Sequence, residues 1–158
     1  MTESIEIPKW SHRELAVSCF NQVWDLLDKV TRTEQEDEQM AHLCHTSYWH
    51  WTQTPEHTVK NLSIGCWQLA RVYAVLGRGE TALRYAKQCK DVSLPAELAP
   101  FYKAYAFEAE ARALQTLGLH EQAQEALQEA KKLAELITDL SSQEALLNDL
   151  KTIEAELA

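Results

Sequence analysis

Apolar residues recur three and four positions apart along most of the chain, the spacing that lines one face of an α-helix. Leu15, Cys19, Val23, Leu26, Leu27 and Val30 form one such stripe, and Met40, Cys44, Ser47 and Trp51 form a second. Two more flank Gly77-Arg78-Gly79: Cys66, Leu69, Ala70 and Tyr73 before it, Ala82, Tyr85, Ala86 and Cys89 after it. Ala123, Leu127, Ala130, Leu133 and Ile137 continue the pattern, and Leu146, Leu150, Ile153 and Leu157 end it. About seven helices are predicted, hence an all-α fold. Four glycines and four prolines are too few for the turns of an all-β chain of this length.

Polar residues punctuate these stripes. Ser11 with Glu14 has the spacing of a capping box, with Trp10 and Leu15 placed as a hydrophobic staple around it. Thr33 with Glu36 opens the second helix in the same way. Thr54-Pro55 predicts the start of the third, since proline at the first helical position loses no hydrogen bond. Gly77 and Gly118 are predicted left-handed C-caps, and Ser141 with Glu144 offers a last capping box. The first seven residues are expected to be loose. One domain follows, with an N-terminal hairpin over 10–53, further hairpins over 55–93 and 98–137, and a single helix over 141–157.

The two later hairpins repeat one another. Cys66, Ala70, Tyr73, Gly77, Ala82, Ala86 and Cys89 are matched 41 residues on by Phe107, Ala111, Leu114, Gly118, Ala123, Leu127 and Ala130. An alanine lets two helix backbones approach, and the large residue three positions on fills the space beside it. On these positions WQLARVYAVLGRGETALRYAKQC and FEAEARALQTLGLHEQAQEALQEA resemble tetratricopeptide repeats, although the period exceeds the roughly 34 residues of that family. The resemblance implies a right-handed superhelical stack of antiparallel hairpins, with the final helix as a cap. It also implies a non-enzymatic module that binds a protein or peptide in the groove of the third and fifth helices. The groove positions carried by the resemblance are Trp67 and Arg71 on the third helix and Tyr105, Glu108 and Arg112 on the fifth. Glu108 precedes Arg112 by four residues, the favourable order for an in-helix ion pair. Arg71 follows Trp67 by four, a spacing for a cation–π contact that leaves its donors free for a partner. A carboxylate clamp of the chaperone type would need lysine and asparagine where Trp67 and Arg71 stand, so none is expected.

Charge narrows the class of partner. A formal net charge of −9 argues against nucleic acid, which requires a basic footprint. The excess is uneven: residues 61–100 hold three acids and five bases, whereas both flanks are acidic. An anionic ligand would therefore go to the centre. No apolar run approaches the roughly 20 residues of a membrane span. MTESIEIPKW lacks the basic and apolar regions of a secretory signal, so a cytoplasmic protein is expected. Cys19, Cys44, Cys66 and Cys89 lie singly and read as buried thiols of a reducing compartment.

HLCHTSYWHW, residues 42–51, is the most unusual local composition. His42, His45 and Trp49 fall on one helix face, an alternative ligand surface for a small molecule or a metal. Two histidines do not complete a metal site, and a third ligand would have to come from His50, His57 or Glu38. Catalytic glycine-rich and nucleophile motifs are missing, and Cys44 beside His45 points elsewhere on a helix. Neither an enzyme nor a cofactor is expected, and self-association through the aromatic N-terminal half is a further expectation.

Overall fold

Seven helices make up nearly all of residues 9–158, which are the residues the computed structural model describes. They are α1 (His12–Leu27), α2 (Glu34–Gln53), α3 (Val59–Val75), α4 (Gly79–Ser93), α5 (Pro100–Thr116), α6 (His120–Ala134) and α7 (Leu140–Leu157). The stretch expected to be loose lies outside the described residues, apart from which no strand occurs. The fold is all-α.

The ends of the helices follow local chemistry. Ser11 and Thr33 form full capping boxes with Glu14 and Glu36. Trp10, expected to staple onto Leu15, is 66% exposed, so most of its surface remains in water. The start of α3 is corrected as well. Thr54 ends α2, its hydroxyl donating to the His50 carbonyl at 3.0 Å, and α3 opens at Thr58, which pairs with Asn61 as a capping box. Asn61 does what glutamate does elsewhere, and its shorter carbonyl arm is the reason the signal is hard to read. At α7 the cap is Asp139, whose carboxylate accepts from the Ser142 N–H at 2.9 Å, so the Ser141–Glu144 box is not the one used.

The repeat is visible in the backbone. Gly77 and Gly118 both adopt φ of +74°, and each ends its helix with the same two bonds. Arg78 N–H donates to the Tyr73 carbonyl at 2.8 Å and Leu119 N–H to Leu114 at 2.9 Å. Gly77 and Gly118 N–H groups donate three residues back. A side chain at either position would force the left-handed conformation on an L-residue, which costs about 1 kcal/mol or more.

Helices pair as α1 with α2, α3 with α4 and α5 with α6, and α7 packs on α5 and α6. Central to the stack is α3, which touches α2, α4 and α5 and buries Cys66, Leu69, Ala70 and Val72. The matched alanines Ala70, Ala82, Ala86, Ala111, Ala123 and Ala130 are all inaccessible or nearly so. Gly65 extends the same logic to α2, because a Cβ there would sit 2.8 Å from the Tyr48 ring. The core falls into three clusters, around Val23 and Met40, around Cys66 and Cys89, and around Leu127, Leu146 and Ile153, with the half-buried Tyr48 and Tyr85 packed between the first two and Tyr105 between the last two.

Cys44, Cys66 and Cys89 lie in this core, Cys19 is partly exposed, and all four are free thiols. Burial pushes the Cys44 and Cys89 thiols up to about 12. The thiolate is the reactive form, so a disulfide reagent applied to native protein at neutral pH should label Cys19 first. The remaining three should react only on unfolding. Early labelling of Cys44, Cys66 or Cys89, read by peptide mass, would contradict this burial.

Candidate functional site

The five side chains expected to line a groove come together, but not as an exposed surface. Glu108 is 1% exposed and is the hub. Its Oε2 accepts from Trp67 Nε1–H at 2.8 Å. Its Oε1 accepts from Arg71 Nη2 at 3.0 Å and from Arg112 Nε at 2.9 Å. Burial alone would raise the Glu108 carboxyl, but the two guanidiniums and the indole N–H outweigh it and hold the group below the ordinary glutamate range.

The network continues into α7. Arg71 reaches Asp149 Oδ1 at 3.3 Å, and Tyr105 O–H donates to Asp149 Oδ2 at 2.7 Å. Arg112 donates to the Asp149 carbonyl at 3.2 Å and to Thr152 Oγ1 at 2.9 Å. Two arginines and two carboxylates thus form a charge-balanced set joining α3, α5 and α7. The in-helix pair of Glu108 with Arg112 forms as the spacing implies. Arg71 also lies 5.2 Å from the Trp67 ring, and one of its donor nitrogens, Nη2, is engaged within the chain. Two of its Nη2 contacts go to Glu108 and Asp149, because α5 and α7 both pack where open solvent was expected. Arg71 Nε is buried without a hydrogen-bond partner, and the indole face beneath the guanidinium offsets part of that loss.

In front of this network lies a cleft of about 300 Å³. Phe20 and Trp24 of α1, Ser63, Ile64 and Trp67 of α3, Phe101, Tyr102 and Tyr105 of α5, and Asp149 of α7 line it. Trp67 stacks on Trp24 at 5.6 Å and meets Tyr105 edge-on at 5.5 Å, which fixes the floor. Several polar groups in the wall are satisfied within the chain: the Ser63 hydroxyl pairs with Ser93 at 2.6 Å, and Asp149 is held as described. The cleft is therefore largely aromatic in chemistry. Phe20, Trp24, Phe101, Tyr102 and Asp149 were not singled out from the sequence. The four aromatic residues have one sequence signal, the crowding of aromatics up to Phe107, which does not say which of them converge, and Asp149 has none.

The alternative histidine face divides into two. His45 Nε2 is 2.7 Å from the Tyr73 hydroxyl and its ring packs edge-on against Tyr73 and Tyr85. Burial, then the nearby Arg84 and His42, lowers its basicity below that of a free imidazole. His42 lies beside Glu38, and both it and His45 border a separate cleft of about 550 Å³ with Glu34, Asp37 and Arg78. Trp49 belongs elsewhere. It is 54% exposed and packs against His12 and His50, whose Nδ1 atoms lie 2.8 Å apart. The cause is α1, whose N-terminal turn meets the last turn of α2 and takes Trp49 with it. Among the described residues no group of three or more His, Cys, Asp or Glu is placed to hold a metal. Likewise no described helix is long and apolar enough to cross a membrane.

Comparison of the chain with protein-family models, with curated proteins and with solved structures finds no match.

Proposed function

We propose that this chain is a non-enzymatic interaction module that holds a peptide segment of a protein partner against α1, α3 and α5. In this reading the hairpins stack as a right-handed superhelix of tetratricopeptide type, and α7 is the terminal cap. The observation that carries it is the aromatic cleft, to which four helices contribute. Mainly apolar clefts with few polar groups are the usual form of small-ligand sites, and an apolar side chain of a peptide enters by the same burial. The Glu108 network lies behind as a support, not as a contact surface, since its charges satisfy one another. Four free thiols fit a reducing compartment, and the cytoplasm is the one proposed.

Random-peptide display against the wild-type protein tests this reading. Phe20→Ala and Tyr102→Ala remove cleft walls without touching the Glu108 network. Each should weaken the selected peptides about tenfold or more, as loss of a central aromatic contact does, while circular dichroism stays helical. Peptides that bind both variants as tightly as wild type would overturn the proposal.

A further inference from the structure

We infer that the cleft accepts one large uncharged side chain, aromatic or leucine, from a bound segment whose neighbouring residue is acidic and pairs with Lys60. The inference rests on the peptide-binding reading above and adds the chemistry of the ligand.

The anchor is uncharged because of what surrounds the cleft. Its walls are mostly aromatic rings and Ile64, with Ser63 and Asp149 beside them, and a volume of about 300 Å³ matches one large side chain, not a chain segment. Aromatic side chains offer the most contact area for such a space. A charged anchor would lose its water on entry and find no free counter-charge. Asp149 is the only charged lining residue among the described residues, and its two carboxylate oxygens already face the Tyr105 hydroxyl and Arg71. Behind it Arg71 and Arg112 are balanced by Glu108 and Asp149, so the network presents no net charge.

The acidic neighbour follows from α3. That helix carries Lys60 and Arg71 and no acidic residue. Arg71 is consumed by the network, which leaves Lys60. Its ammonium lies 5.0 Å from the centre of the Tyr102 ring, a wall of the cleft, and has no carboxylate partner among the described residues. Lys60 is exposed and stands one helical turn before Ile64. A carboxylate beside the anchor would meet this cation at the lip, whereas a basic neighbour would be repelled by it. An exposed pair of this kind is modest in strength, so it selects among segments that the cleft already holds.

The experiment is peptide display on the wild type, Ile64→Trp and Lys60→Glu proteins, with sequencing of the selected pools. Wild type should enrich Trp, Phe or Leu next to Asp or Glu. Ile64→Trp fills the cleft from inside and should weaken the wild-type peptides about tenfold or more. Lys60→Glu is a surface change that leaves the fold intact. It should reduce affinity about two- to fivefold and turn the flanking preference from acidic to basic with the anchor unchanged. Enrichment of Lys or Arg at the anchor, undiminished binding to Ile64→Trp, or the same flanking preference in Lys60→Glu would overturn the inference. Where such peptides still lose affinity in Phe20→Ala and Tyr102→Ala, the peptide-binding module itself stands. Insensitivity to those two variants removes both.

Discussion

Glu108→Ala is expected to destabilise the protein by about 3–5 kcal/mol, the cost of breaking a buried ion pair from one side. For a chain of this length that corresponds to a fall of roughly 6–20 °C in Tm. The reason is what remains. Arg71 and Arg112 would face each other across α3 and α5 with only Asp149 between them, and the Trp67 N–H would point into a space without an acceptor. Glu108→Gln keeps the volume and one acceptor and should fall between the two. Acid should mimic the change. The Glu108 carboxyl is held low in the folded state, so its contribution is complete above the unfolded glutamate value of roughly 4.3 and is lost as pH falls through the folded value. Urea titrations of wild type and Glu108→Gln over pH 3–7 check this. The wild type should lose its advantage only at the acid end. An advantage unchanged across the range, or a Glu108→Ala protein as stable as wild type, would mean that the carboxylate is not the hub.

Trp67→Ala should cost a comparable amount, about 3–5 kcal/mol, as for other large aromatic truncations in cores. Its ring contacts Trp24, Tyr105 and Arg71 at once, and its N–H satisfies Glu108 Oε2. Trp67→Phe separates these contributions. It keeps most of the packing and removes the donor, so about 1–3 kcal/mol is expected. Combined with Glu108→Gln, the loss should be less than additive by about 0.5 kcal/mol or more, since both variants strike the same bond. Denaturant midpoints of the four proteins give the coupling directly. Strict additivity would show that the indole donor does not act through Glu108.

Neither effect is visible when α3 or α5 is considered alone. Viewed on α3 alone, Trp67 and Arg71 lie opposite the Cys66–Ala70–Tyr73 stripe, which makes them look solvent-facing. The spacing of Glu108 and Arg112 says that they pair, and they do. It does not say that a third helix will bring Arg71 to the same oxygen, or that α7 will lay Asp149 beside it. In the same way His42, His45 and Trp49 share a face of α2, yet α1 takes Trp49 and α3 takes His45.

What the amino-acid sequence determined by itself is local and periodic. Apolar spacing set the number of helices, Ser11 and Thr33 set two of their starts, and Gly77 and Gly118 set two of their ends. These signals act within one or two turns of chain, so they can be read without knowing what packs nearby. The 41-residue match likewise marks positions where helices must approach closely, because only small residues permit it. The tertiary structure decided everything that depends on which helices become neighbours. It joined Arg71 to the Glu108–Arg112 pair and to Asp149 in a largely buried, charge-balanced brace, and it opened an aromatic cleft beside that brace from residues 129 positions apart, Phe20 and Asp149. A side chain's exposure and charge environment are properties of the packed interface, and those interfaces form between segments far apart in the chain.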